Sequence, residues 1–160
     1  MAKYHMNQRE LEITDRNALA EILRQGKYVT IAMCRQDEPY IVTLSYGYDE
    51  NRGALYFHCA LKGLKLDFIN HNPNVCATVI EDKGYKMGEC DQAYHSVVFW
   101  GKMNIVEDLQ EKRYAVDVLL NHLEDDPARV RERSLKSDKV YTEVGILRLD
   151  ILEMTGKQGQ

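Results

Sequence analysis

The 160-residue sequence predicts a mainly β chain with helices, of the α+β class, built as a small antiparallel barrel with helical decoration. Three observations carry this. About six runs alternate or are rich in β-branched and aromatic residues, the links joining them are short, and helical patterns are inserted between strands rather than following every one. A barrel also removes the edges that such apolar strands would otherwise offer to aggregation. No internal repeat or low-complexity tract is present.

Residues 1–13 read as a polar lead-in with Leu11 and Ile13 as contacts. Thr14-Asp15 offers an N-cap for a short helix with Leu19, Ile22 and Leu23 on one face, and Gly26 stops it. Residues 28–34 form a strand, 35–38 a tight polar turn and 39–46 a second strand with clear alternation, so the pair makes a hairpin. A turn rich in permissive residues, 49–53, leads to a third strand at 54–58. Leu64–His71 places Leu64, Phe68 and Ile69 at helical spacing, and Asn72-Pro73 ends it. Residues 74–80 are a fourth, largely apolar strand, and 81–91, with glycines and charges, reads as a loop or an extended hairpin arm. Residues 94–106 form a long strand with a bend or bulge at Gly101.

Glu107-Asp108 caps a helix that points Tyr114, Val118 and Leu119 at the core and ends near Glu124. Asp126-Pro127 starts a short helix whose Arg129, Arg131 and Arg133 alternate with Val130, Glu132 and Ser134, as a solvated face does. Residues 139–153 alternate through Val140, Val144, Ile146, Leu149 and Ile151 as a closing strand, and 155–160 is expected as a loose tail. One domain is expected to cover residues 1–160.

A net charge of −4 argues against a nucleic-acid partner, and no run of about 18 apolar residues suggests a membrane span. With no apolar signal core at the N-terminus, the cytoplasm is the expected location. Cys34, Cys59, Cys76 and Cys90 lie mostly in or beside apolar runs without a C-x-x-C pair, which suits reduced, buried thiols rather than a disulfide framework. His58, Cys59, His71, Cys90 and His95 have no metal-ligand spacing, so no metal centre is expected. The nucleotide-hydrolysis and common hydrolase motifs are absent.

The chemistry concentrates in Leu55-Tyr-Phe-His-Cys-Ala-Leu-Lys-Gly-Leu-Lys65. A strand that enters a helix through Gly63 presents free N–H groups at the helix start, where the dipole favours an anion, and Lys62 and Lys65 add positive charge. A phosphate seat and an ordinary strand–helix junction with solvated lysines are the two readings. Cys59, at this turn, reads as a small space-filling residue ahead of a reactive thiol. His71 reads as a helix-terminal residue that uses the dipole.

Three segments together carry a resemblance: P-Y-I-V-T-L-S-Y-G-Y at 39–48, L-Y-F-H-C-A-L-K-G-L-K at 55–65 with N-P-N-V at 72–75, and Y-H-S-V-V-F-W-G-K-M at 94–103 followed by Val106-Glu107-Asp108. In their order and spacing the chain resembles the FMN-binding split-barrel family related to pyridoxamine 5′-phosphate oxidase, and within it the nitroimidazole-resistance, Nim-type subgroup. The resemblance implies a six-stranded antiparallel split β-barrel that forms a homodimer with FMN in clefts between subunits. It also implies a flavoprotein oxidoreductase acting on a small aromatic or nitroaromatic acceptor. Haem binding or haem handling on the same barrel, and flavin carriage without turnover, are the alternatives.

By the same resemblance, Val42, Thr43 and Leu44 would lie along the flavin ring. Phe57, His58, Cys59 and Ala60 would line the ring and ribityl chain, Lys62, Gly63 and Lys65 would face the phosphate, and Ser96 would reach the flavin from the subunit interface. His58 and His71 are the candidate proton donors. The chain departs from its relatives at Leu64, where many carry a basic residue. It departs also at Thr43-Leu44-Ser45-Tyr46, where many read P-L-N-Y, and at His95, where an arginine is common. It lacks the extended C-terminal substrate segment of true pyridoxamine phosphate oxidases, so vitamin B6 synthesis is not expected.

Overall fold

In the computed structural model, which describes residues 6–159, the backbone hydrogen bonds are organised around one antiparallel sheet. Its strands are β1 (Glu12–Ile13), β2 (Tyr28–Arg35), β3 (Glu38–Ser45), β4 (Gly47–Asp49), β5 (Ala54–Cys59), β6 (Asn74–Lys86), β7 (Asp91–Val106) and β8 (Gly145–Gly159). Neighbours run β3-β2-β6-β7-β8-β5-β4, with β1 beside β8. The six long strands are those expected, and β1 and β4 are short additions. The two ends of the order, β3 and β4, follow one another in sequence but do not pair, so the sheet curls without closing: a split barrel.

Inward residues Val29, Ile31 and Met33 of β2, Val75, Ala77 and Val79 of β6, and Val97, Phe99 and Met103 of β7 fill the interior with Leu55, Phe57, Leu147 and Leu149. Helix α1 (Arg16–Gln25) is capped by the Asp15 carboxylate, which accepts from Asn17 N at 2.9 Å, and it buries Leu19, Ala20, Ile22 and Leu23. Helix α2 (Leu64–His71) packs against β2 and β7 and buries Leu66, Phe68 and Ile69. Tyr40 meets the Phe68 ring at 5.1 Å, and the Arg35 guanidinium sits 4.5 Å from the same ring.

Helix α3 (Leu109–Leu123), capped by Asp108, covers a second apolar cluster of Tyr56, Val106, Ala115, Leu119 and Ile146. It lies on β4 only because position 47 is glycine, since a Cβ there would stand 2.8 Å from the Leu119 backbone. Its buried stripe is Lys112, Ala115 and Leu119; of the expected inward residues Leu119 is buried, Val118 is half-buried against the second cluster and Tyr114 does not reach the core. Tyr114 stays at the rim, where its hydroxyl donates 2.6 Å to Asp49 and Arg52 stacks 4.0 Å over its ring. Helices α4 (Pro127–Ser134) and α5 (Asp138–Thr142) follow, with Arg131 of α4 paired to Asp117 at 2.7 Å.

Two expectations are corrected and one open reading is decided. Residues 81–91 form the extended hairpin arm, not the loop, held at its base by Asp82, which accepts from Gly84 N at 2.8 Å and from Gln92 Nε2 at 2.5 Å. A register shift between Asp82 and Gly84 puts Tyr85 opposite Gln92, on the face that carries Ile80 and Ser96. Residues 138–142 are helical, and the closing strand starts only at Gly145. The expected tail is strand through Gly159, because β1 and β7 both pair with it. Gly101 does mark a bulge, where the register jumps from Glu153 to Ile151. The first five residues of the lead-in lie outside the described residues.

A half-buried polar network clamps α3 to the sheet. The Tyr56 hydroxyl donates to Glu111 at 3.1 Å and accepts from Arg52 at 3.0 Å, while Glu111 and Asp150 both pair with Arg148. Replacing Glu111 with Ala removes one of the two carboxylates on Arg148 and the acceptor of the Tyr56 hydroxyl, and should cost roughly 1–3 kcal/mol in denaturant unfolding. At the far end of α3, His122 Nε2 hydrogen-bonds the Gly26 carbonyl at 2.6 Å, and burial holds its pKa below the usual imidazole value. The unfolded chain therefore binds this proton more readily. The contribution of His122 is fully present above about pH 6.5 and shrinks as pH falls below it. His122→Gln should flatten that part of the stability–pH curve.

Candidate functional site

Strand β5 pairs with β4 only through Ala54–Tyr56, so residues 57–59 bond to β8 on one side and leave the other open. The chain then passes through an irregular turn to Gly63 and into α2. Gly63 has φ +154° and ψ 165°, a region essentially reserved for glycine, and nothing stands within 4 Å of where a Cβ would go. Glycine is needed here for the backbone path, not for space. No side chain caps the helix, so its first N–H groups face outward with Lys62 and Gly63 exposed and Lys65 half-buried beside them. Asp67, the acidic residue of the first turn, is exposed.

His58 is exposed and Cys59 half-buried. Burial pushes the Cys59 thiol up, while Lys65 and Lys112 pull it the other way. Ala60 is exposed and turns with Cys59 over a cavity of about 270 Å³, lined also by Leu61, Leu66, Ile105, Val106, Glu107, Lys112, Gly145 and Ile146. Phe57 has no exposed surface and belongs to the barrel core, so only its backbone can face a ligand.

The second expected wall is β3. Val42 and Leu44 pack inward against the core, and Thr43 faces out with its hydroxyl 3.0 Å from that of Thr30. β3 pairs with β2 along its whole length and, among the described residues, with no strand on its other side, which leaves that edge open to a planar polar partner.

Two further candidate residues lie away from the turn. His71 is exposed at the opposite end of α2, about 10 Å along the helix from Leu64, because the segment is helical throughout. Ser96 lies on the outer face of β7, three strands from β3 or about 14 Å, with Oγ 3.5 Å from the Lys157 carbonyl. It borders a separate outer cavity of about 410 Å³ with Thr78, Ile80, Asp82, Gln92 and Tyr94. Within one chain Ser96 cannot meet the turn.

Sequence reasoning missed Lys112. The available signal was a lysine three residues before Ala115 and seven before Leu119, on the stripe that a helix of this length must bury. The thiols also differ from expectation: Cys34, Cys59 and Cys76 are half-buried, and Cys90 is exposed in the arm's turn at φ +52°. Among the described residues no three His, Cys, Asp or Glu side chains converge as metal ligands, and no helix is long and apolar enough to cross a membrane.

Among curated proteins, an uncharacterized protein of Rhizobium meliloti is 29% identical over 72 residues, a match spanning 44% of this chain and 45% of that protein. Among solved structures, a candidate 5-nitroimidazole antibiotic resistance protein from Bacteroides thetaiotaomicron is similar at TM-score 0.78 and 26% identity, covering 92% of this chain and 86% of that one. An FAD and haem binding protein from Mycobacterium smegmatis shares the fold at TM-score 0.77 and 18% identity, over 94% of this chain and 74% of that one. The pyridoxamine 5′-phosphate oxidase family model matches residues 15–158, and the open barrel order and the free β3 edge agree with it. The chain belongs to the pyridoxamine 5′-phosphate oxidase family.

Proposed function

We propose that the protein is a homodimeric FMN flavoprotein that passes reducing equivalents to a small aromatic or nitroaromatic acceptor. The observation that carries this reading is the uncapped, lysine-flanked start of α2 at the open end of β5, a seat for a phosphate next to a free strand edge. Membership of the family and the 26% identical nitroimidazole-resistance neighbour support it.

The residues present fit the cofactor. Lys62, Gly63 and Lys65 would hold the phosphate, the turn at His58–Ala60 would follow the ribityl chain, and the free backbone of Val42–Leu44 would bond the polar rim of the ring. Bound FMN would supply the electron transfer that no side chain here can perform. His58, exposed at the turn, is the candidate proton donor there.

A second copy completes the site. The outer sheet face carries the apolar side chains Tyr28, Ile41, Ile80 and Leu152 at 63%, 65%, 59% and 71% exposure, and a second copy packed on that face would cover them. Packing two such faces together would bring Ser96 of one copy toward the turn of the other. Flavin carriage without turnover would use the same residues.

Purified protein should show a flavin absorption spectrum and release FMN on denaturation. A haem spectrum, or a colourless protein that takes up no added FMN, would overturn the reading. Reduction by a nicotinamide donor, reoxidised by a nitroaromatic acceptor, separates an enzyme from a carrier. Lys65→Ala should weaken FMN binding by on the order of tenfold or more in a fluorescence titration. Ile80→Asp should shift the sedimentation coefficient from dimer to monomer.

A further inference from the structure

Lys112 is a buried cation that the packing leaves short of counter-charge. It is 9% exposed on the inward stripe of α3, and its Nζ donates 2.8 Å to the Val144 carbonyl. An ammonium has three donors. Among the described residues no carboxylate lies within ion-pair distance of it, and Glu107, at the rim of the same cavity, is exposed. A charge buried against a neutral carbonyl alone is costly, and an anion beside it offsets that cost.

The 270 Å³ cavity supplies the room. Its walls include Cys59, Ala60 and the adjoining Gly145 of β8, together with Lys112 of α3. Lys112 lines this volume together with Leu66 of the first turn of α2, and the half-buried Lys65 precedes Leu66 in that turn. That volume is worth about nine waters at roughly 30 Å³ each. It falls just below the range of pockets that enclose a whole drug-sized ligand, so it suits a terminal group rather than a ring system.

We propose that Lys112 is the inner cation of an anion seat beneath the 58–63 turn, and that its occupant is a phosphate monoester. In naming that monoester as the end of FMN, the assignment rests on the function proposed above. Lys112 binds the phosphate from behind while Lys65 and the start of α2 hold it from in front. The seat selects for the phosphorylated flavin over riboflavin, which has the same ring and ribityl chain but no charge to place there.

The test compares FMN and riboflavin affinities, by flavin fluorescence, in the wild type and Lys112→Met. The wild type should prefer FMN, and K112M should lose FMN affinity by on the order of ten- to a hundredfold with riboflavin affinity unchanged. Equal losses for both flavins, or no loss for either, would reduce Lys112 to a tie between α3 and β8 and overturn the proposal.

If K112M does not fold, the wild type carries the test alone. Inorganic phosphate should slow alkylation of Cys59, read by mass spectrometry, and leave the exposed Cys90 unaffected. Protection by phosphate in a protein that binds no flavin would keep the anion seat and discard FMN as its source. Absence of protection by phosphate would overturn the seat, even in a protein that binds FMN.

Discussion

The antiparallel ladder between β7 and β8 is the constraint on which the rest of the molecule depends. It runs from Tyr94 opposite Gly159 to Val106 opposite Ile146, and it sets the register of everything attached to either strand. At one end β8 pairs with β5, which fixes Cys59 against Gly145 and aims the following turn outward. At that same end β7 delivers Ile105–Glu107 to the cavity wall and then α3, with Lys112 one turn in. At the other end β8 pairs with β1, which draws the N-terminal segment and α1 onto the barrel. A backbone ladder of this length is cooperative and hard to slip by one residue, because a slip would turn every inward side chain outward.

What could be read in the sequence follows from how local each signal is. The hairpin at 28–46 and the bounds of α2 were legible because alternation, the Asn72-Pro73 stop and Gly63 act within a few residues. The caps Asp15, Asp108 and Asp126 were legible for the same reason, since each carboxylate bonds an N–H two or three residues on. The arm at 81–91 was only half legible, because its strand character comes from pairing across the hairpin and its own composition is that of a loop. The same applies to residues 155–159, which are polar and glycine-containing yet are ordered by partners on both sides.

The site was legible as a list of residue types and less so as an arrangement. The turn from His58 to Lys65 sits where the pattern placed it, on the open side of β5. Phe57 and His71 show the limits of reading neighbours in sequence as neighbours in space. One residue of strand alternation turns Phe57 into the core beside exposed His58, and one helix length carries His71 away from the turn. Lys112 was hidden for the opposite reason. It is about fifty residues from the turn in sequence and reaches it only because β7 and β8 return α3 to the end of β5.

The register shift in β6 decides which way the arm's side chains face. Side-chain facing in a strand is a parity, and the extra residue at Lys83 changes that parity for everything beyond it on the arm. Loss of that single codon would remove the bulge and restore simple alternation while leaving Tyr85 opposite Gln92, still on the Ile80 face. With Lys83 retained and the pairing made regular, Gly84 would stand opposite Gln92 and Tyr85 would turn to the other side of the ribbon. The bulge is thus the device by which an arm one residue longer keeps its aromatic side chain on the Ile80 face.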